Sequence, residues 1–590
     1  MKIFTNLCSA GLTLENMPYP TMRKLPFLLL IPSLILQLSC SETDERRSSS
    51  RPNIVFIMSD DHAYQAISAY DDRLIETPNI DRIAKMGILF TNASVTNSIC
   101  APSRATILTG KHSHINGKVD NHFPFDTTNI TFPQLLQQAG YQTAMFGKLH
   151  FGNNPKGFDQ FKILPGQGAY YNPDFITKYD GNVRIEGYVT DIITDMTLDW
   201  LENDRKADDP FLLMYLHKAP HREWLMAERH FEEFTQRTFP EPATLFDDYS
   251  GRGRHAREAE MNLLTDMHWA GDSKIYPDLM DELGIAGTSS WDKAAFESEV
   301  GRMNEAQRAN WDTYYREVNE AFKKAYPTMT EEDQMRWRYQ RYMQDYLGTI
   351  KSVDENVGRV LDYLEENGLM ENTIIVYTSD QGFYLGEHGW FDKRFVYNES
   401  FKTPLLMAWP GKTPAGQKSD ALVQNLDFAQ TFLEAAGIAS PEDMQGESLM
   451  PFLTGNNDVW QRDAVYYHYY EYPSIHMVKR HYAIITKDYK LVHYYFDTDE
   501  WELIDRHEDP HELTNVYDDP TYAEIRAKLH ADLNGLRDKY GDNSEISQRY
   551  IDEYLDYLKK QGSFAGAKDL TLIEKIFEKR DQSIRLKQPN

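Results

Sequence analysis

The sequence predicts an α/β fold: a large mixed, mostly parallel sheet sandwiched by helices, followed by a smaller C-terminal antiparallel sheet plus a helix. Two observations carry this. Short apolar runs alternate with helical patterns along most of the chain, as in βαβ units. Four of the runs also end in charged, amide or histidine side chains, at the edge where an open parallel sheet builds its ligand site. A chain of 590 residues is too long for one small core, so two or more packed units are expected.

The first element is a targeting segment. Met22-Arg23-Lys24 precedes a 12-residue apolar stretch, Leu25 to Leu36, too short to span a bilayer. Residues 1–40 therefore read as an export signal, with Met22 as the true start. Cys40 follows directly and resembles a bacterial lipoprotein site, although Gln37 stands where that motif prefers Leu. An ordinary signal peptide is the alternative. The preferred reading puts the mature protein in the periplasm or at the cell surface, lipidated on Cys40 and anchored to the outer membrane by that lipid alone.

A Ser-rich linker, 41–51, leads to the strand pattern Pro52-Asn-Ile-Val-Phe-Ile-Met58. Further strands are expected at Tyr141 to Phe146, Phe211 to Leu216 and Thr373 to Thr378, with helices at Ile80 to Gly87 and Phe132 to Gly140. Residues of about 225–345 are dense in Glu, Arg, Lys, Trp and Tyr and read as a helical insertion within a catalytic unit of 52–455. From 456 to 560 alternating strands and a helix, Tyr522 to Tyr540, make a C-terminal subdomain; 561–590 is a charged tail.

Composition narrows the function. Hydrophobic residues at 41% and charged residues at 26% describe a globular chain. A formal net charge of −28 excludes non-specific nucleic-acid binding, which needs a basic face, but leaves room for an anionic substrate in a locally positive pocket. The aromatic content of 13% fits a carbohydrate cleft but fits an aromatic-rich core better.

The strand ends carry the chemistry. The first delivers Asp60 and Asp61, the second Lys148 and His150, the third His217 and His221, and the fourth Asp380 and Gln381. A single Asp after a strand is more often a turn former. Three carboxylates and an amide oxygen converging on one edge would repel unless a cation sat between them, and oxygen ligands suit Ca²⁺ first and Mg²⁺ second. His217 reads as packing. Lys393 and Arg394 lie shortly after the Asp380-Gln-Gly382 turn, within reach of the same edge.

With Cys8 and Cys40 removed by processing or modification, Cys100 is the only thiol of the folded unit, so no internal disulfide forms. Pro102 is expected at the first position of a short helix that Gly110 ends, with Cys100 at its N-terminus and Arg104 one turn on. A buried structural cysteine would leave the proline and arginine unexplained.

Cys100-Ala-Pro-Ser-Arg104 with the following ATILTG, the two Asp after the first strand, G-K-x-H at 147–150, A-P-H at 219–221, DQG at 380–382 and GEHG with Lys393 together resemble the type I sulfatases of the alkaline-phosphatase-like superfamily. The resemblance covers about 52–455, and the C-terminal sheet fits it. It implies that a formylglycine-generating or sulfatase-maturating enzyme oxidises Cys100 to formylglycine (3-oxoalanine), whose hydrated form attacks sulfur. Carried over, Asp60, Asp61, Asp380 and Gln381 hold Ca²⁺ with position 100, and Arg104 steadies the formylglycine. Lys148 and Lys393 neutralise the sulfate, His150 assists release of the sulfate, and His221 protonates the leaving oxygen. Gln381 stands where many relatives carry Asn. Lys148, His221, Lys393 and Arg394 are then the substrate contacts. The expected substrate is a sulfated polysaccharide or its oligosaccharides, either algal, such as ulvan, or a glycosaminoglycan. The alternatives are a phosphate or phosphonate ester hydrolase of the same superfamily and a non-catalytic glycan-binding lipoprotein.

Overall fold

Alternation along the first predicted strand decides the layering. Val55 and Ile57 face one apolar core while Ile54, Phe56 and Met58 face another, so this strand is covered on both sides. It belongs to a computed structural model that describes residues 51–561, with 574–576 and 578 beyond them. The export signal, Cys40 and most of the charged tail lie outside the described residues.

In chain order the strands are β1 (Asn53–Ser59), β2 (Ile88–Phe90), β3 (Ala93–Ser94), β4 (Gln142–Lys148), β5 (Gln160–Leu164), β6 (Asp174–Thr177), β7 (Asn182–Arg184), β8 (Phe211–Leu216) and β9 (Thr373–Ser379). They continue as β10 (Leu405–Ala408), β11 (Gln417–Ser419), β12 (Val423–Gln424), β13 (Ala464–Tyr469), β14 (His481–Thr486), β15 (Tyr489–Tyr494) and β16 (Glu500–Asp505). Ten of them form one sheet in the order β11-β2-β10-β9-β1-β8-β4-β5-β6-β7. Its centre, β9-β1-β8-β4-β5, is parallel, and antiparallel pairs β9-β10, β10-β2, β5-β6 and β6-β7 flank it.

Register places the strand ends. Ser59 pairs with Ser379, Met58 with Leu216 and Gly147 with Leu216, so Asp60 and Asp380 leave the sheet at one level, with His217 and Lys148 one residue short of it on the neighbouring strands. Helices Val189–Asp199 and Glu331–Glu366 contribute to the core on one face; Cys100–Thr109, Phe132–Gln138 and Phe428–Ala435 do so on the other.

The 225–345 stretch contains the expected helices, with Glu305–Ala325 the longest wholly inside it, but long irregular segments at 236–253 and 258–276 separate them. Glu331–Glu366 is a 36-residue helix that leads toward β9. Its start is fixed by Thr330, whose hydroxyl accepts from Asp333 N at 3.2 Å. Strands β13-β14-β15-β16 form the antiparallel sheet, and the helix Ala523–Tyr540 packs on it. A further helix, Ser544–Gln561, was not among the sequence expectations; its apolar positions recur among charges and bury Tyr550, Ile551, Tyr554, Leu555 and Leu558. Among the described residues no helix is long and apolar enough to cross a membrane.

Candidate active site

Glycines set how closely the strand ends approach one another. Gly147 has φ +108°, and a Cβ there would lie 1.7 Å from the Leu216 carbonyl oxygen. At Gly382 it would lie 2.1 Å from the Glu399 carbonyl oxygen. Asp61, His150, Asp392 and Arg394 adopt positive φ without being glycine, the strained backbone that gathers at functional sites.

The helix Cys100–Thr109 begins at Cys100 itself, which corrects the expectation of Pro102 at the first position. Pro102 fits the first turn all the same, because N–H groups there have no partner within the helix. Gly110 ends it in the left-handed conformation, as expected. Cys100 is fully buried, and its Sγ donates to Asp60 Oδ1 at 3.4 Å. Arg104 reaches Asp380 Oδ2 at 2.9 Å and Asp60 Oδ2 at 3.1 Å, and also donates to the Lys148 carbonyl.

Four buried acids meet five buried basic side chains here, Arg104 among them. Lys148 pairs with Asp60, and Lys393 pairs with Asp61 at 2.7 Å. Asp392, which touches Lys393 at 3.8 Å, also pairs with Arg394 at 3.0 Å. His221 Nε2 stands 3.7 Å from Asp61 Oδ2, and Nδ1 bonds to the Arg222 carbonyl at 2.5 Å. Asp61 N donates to Asp380 Oδ1 at 3.1 Å, and Gln381 Nε2 donates to Asp61 Oδ1. Ligand atoms of Asp60, Asp61 and Asp380 lie within 4.8 Å of one another, and so do those of Asp60, Cys100 and His221.

Neighbouring carboxylates are driven in opposite directions. Burial opposes ionisation of Asp60, yet Lys148, Arg104, His221 and Lys393 hold its carboxyl well below the usual range. Burial pushes Asp61 up to about 7, reinforced by Asp60 and Asp380 against the pull of Lys393. Asp380 is also raised, by burial and then by Asp60. Burial and then the Asp60 charge raise the Cys100 thiol well above its ordinary value. Burial, then Lys148, drives both His150 and His221 well down.

These residues fit a hard cation. The Oε1 of Gln381 is buried with no hydrogen-bond partner among the described residues. Two carboxyls beside it are raised by burial and then by their acidic neighbours, a penalty that a divalent ion in an oxygen cage removes.

Asp60, Asp61, Cys100, Lys148, His221, Asp380 and Lys393 therefore meet at one sheet edge. The family described as sulfatase matches residues 52–438, and the one described as N-sulphoglucosamine sulphohydrolase, C-terminal, matches 386–539. The chain is a type I sulfatase. It belongs to the alkaline-phosphatase-like superfamily and is a sulfuric ester hydrolase. An N-acetylglucosamine-6-O-sulfatase of Bacteroides thetaiotaomicron is 47% identical over 528 residues, 88% of this chain and 92% of that one. The human N-acetylglucosamine-6-sulfatase is 28% identical over 445 residues, 70% of this chain and 67% of its own length. A solved structure in complex with its substrate, D-glucosamine-2-N,6-O-disulfate, superposes with a TM-score of 0.79 at 47% identity, covering 84% of this sulfatase and 99% of that chain.

Of the residues singled out from sequence, the sulfatase gathers Asp60, Asp61, Cys100, Arg104, Lys148, His221, Asp380, Gln381 and Lys393 in direct mutual contact. His150 follows β4 with Nδ1 buried and unpartnered among the described residues. His217 packs against Tyr215, ring centroids 4.3 Å apart. Arg394 is buried and committed to Asp392, to Glu471 at 2.9 Å and to the Tyr469 hydroxyl at 3.2 Å. Sequence reasoning missed Asp392, Glu471 and His476. Asp392 could have been found beside Lys393, since two adjacent cations in a core need an acid. His476 Nε2 reaches Asp392 at 3.3 Å from the loop after β13, and nothing local in the sequence signals it.

Proposed function

We propose that this sulfatase removes 6-O-sulfate from glucosamine residues of a glycosaminoglycan, using a formylglycine made from Cys100 and a Ca²⁺ ion held by Asp60, Asp61, Asp380 and Gln381. The observation that carries the substrate is the sequence shared with the N-acetylglucosamine-6-O-sulfatase across most of both chains. It favours the glycosaminoglycan class over ulvan. The raised Cys100 thiol argues against a cysteine nucleophile, which needs a depressed pKa. When present, the ion and the formylglycine supply a Lewis acid and an oxygen nucleophile in place of a thiol that suits a hard cation poorly.

The chain's own groups do the rest. Lys148 and Lys393 neutralise the sulfate oxygens where charge accumulates in the transition state. His221 delivers a proton from Nε2 to the leaving sugar oxygen; its Nδ1–H stays on the Arg222 carbonyl, so the ring takes up the transferred proton when the anionic sulfate ester binds beside it. His150, kept neutral, takes a proton at position 100 when sulfate departs. Arg104 fixes Asp60 and Asp380 around that position. Because Cys100 is fully buried, the maturing enzyme must reach it before the chain closes over it. Export and a lipid anchor on Cys40 belong to the same reading and rest on the 22–40 sequence.

Peptide mass spectrometry across residue 100, with sulfate release from 6-O-sulfated glucosamine and from aryl phosphate, tests the proposal. An active preparation with an unmodified thiol, or a preference for phosphate, sinks it.

A further inference from the structure

His221 stands between two spaces. On one side lie Asp61 and the rest of the buried charge cluster. On the other opens a cavity of about 490 Å³, lined by Lys218, Glu223, Trp291 and Glu299 among others. Among the proposed catalytic residues His221 alone lines it, so the cavity begins where the sugar oxygen leaves. Its volume falls in the roughly 300–1,000 Å³ range of sites for drug-sized ligands.

One wall comes from the helical insertion and is held firmly. The buried Asp292 carboxylate accepts from Trp269 N at 3.0 Å, Ala270 N at 2.7 Å, Gly271 N at 3.2 Å and Thr288 N at 3.2 Å. Trp291 sits next to this anchor and is nevertheless 69% exposed. An exposed indole on an anchored stretch of backbone offers a stacking face. The lining is also acidic: Glu223 and Glu299 stand against Lys218, because Arg222 is already neutralised by Asp272 at 2.5 Å, while Glu260 and Asp266 line it with partners of their own. Such a lining repels carboxylates and sulfates but accepts hydrogen bonds from hydroxyls.

We propose that this cavity seats the sulfated glucosamine at its His221 end and the sugar attached to it beyond, and that the neighbour it accepts is a neutral hexose stacked on Trp291 rather than a hexuronate. This rests on reading the chain as a glucosamine 6-O-sulfatase.

The test uses the matured enzyme and three substrates: a 6-O-sulfated glucosamine monosaccharide, the same residue joined to a neutral hexose, and the same residue joined to a hexuronate. Sulfate release is followed for wild type, Trp291→Ala and Glu223→Gln. Wild type should favour the neutral disaccharide over the uronate about tenfold in kcat/KM. Trp291→Ala should cut the neutral disaccharide about tenfold, the scale of losing an anchoring aromatic contact, while changing the monosaccharide less than about twofold. Glu223→Gln should narrow the preference between the two disaccharides. The monosaccharide rate also reports that each variant is folded. Release from all three sugars without these differences overturns the inference alone. No release from any of them overturns the glucosamine reading and the inference together.

Discussion

The two sides of His221 are built by different means. The catalytic floor is a set of strand ends whose register puts Asp60 level with Asp380 and Lys148 one residue away, with every charge buried and answered by another. The wall of the adjoining cavity is a loop of the helical insertion, tied by Asp272 and Asp292 and leaving Trp291 in solvent. The floor gathers buried groups with displaced proton affinities; the wall presents an exposed indole and acidic side chains. On the proposed reading, chemistry falls to the strand ends at the centre of the sheet and substrate choice to a loop outside it.

The sharpest way to break this division is at position 100. Cys100→Ala should lower sulfate release from every substrate by roughly 10⁴-fold or more, the scale of losing a nucleophile, with the melting temperature nearly unchanged. Residual activity above a hundredth of wild type would take the nucleophile away from the floor. Removing divalent ions with a chelator should cost roughly 10³-fold, the several kcal/mol of charge stabilisation that a cation supplies, and Ca²⁺ should restore it. The chelated protein should also melt earlier, because Asp61 and Asp380 are then left crowded, and full turnover in chelator would refute the cation. His221→Ala should cost about 10²- to 10³-fold on sugar sulfates but under about tenfold on an aryl sulfate, whose phenolate leaves without a proton. Equal losses on both would make His221 a positioning group.

How much was readable follows the same line. Strands 52–58, 141–146, 211–216 and 373–378 were legible because each is a continuous apolar run, and each stands within two residues of its expected bounds. The residues after them were legible because a parallel sheet gathers strand ends. The start of the Cys100 helix was misjudged by two residues, since proline is tolerated throughout a first turn and does not mark its beginning. Glu471, His476 and Trp291 were not legible at all. They meet the site through loops whose positions are set by packing between segments far apart in sequence, and no spacing rule reports that. The irregular stretches inside 225–345 were hidden for a similar reason. Buried carboxylates such as Asp292 and Asp272, rather than periodic apolar faces, hold them.

The smallest effect tests whether wall and floor are separate. Asp272 is fully buried and accepts from Arg222 Nε at 3.1 Å and from His268 N at 2.7 Å. Burial would raise its carboxyl, but Arg222 and His268 outweigh it and lower the pKa to about 2. A folded value below the unfolded one, about 3.9, means stability that is present above pH ~4 and lost as pH falls through about 2. Asp272→Asn should therefore destabilise the protein by about 3 kcal/mol at pH 7, the scale of breaking a buried pair, and by less at pH 3. Urea unfolding at both pH values measures this; an equal gap at both would deny the ion pair its role. Because Asp272 anchors the wall, kcat/KM on a sulfated disaccharide should fall about fivefold and on an aryl sulfate less than about twofold. Matching losses on the two would mean that Arg222, one residue from His221, transmits every strain in the wall to the proton donor, and that the boundary between specificity and chemistry does not run through His221.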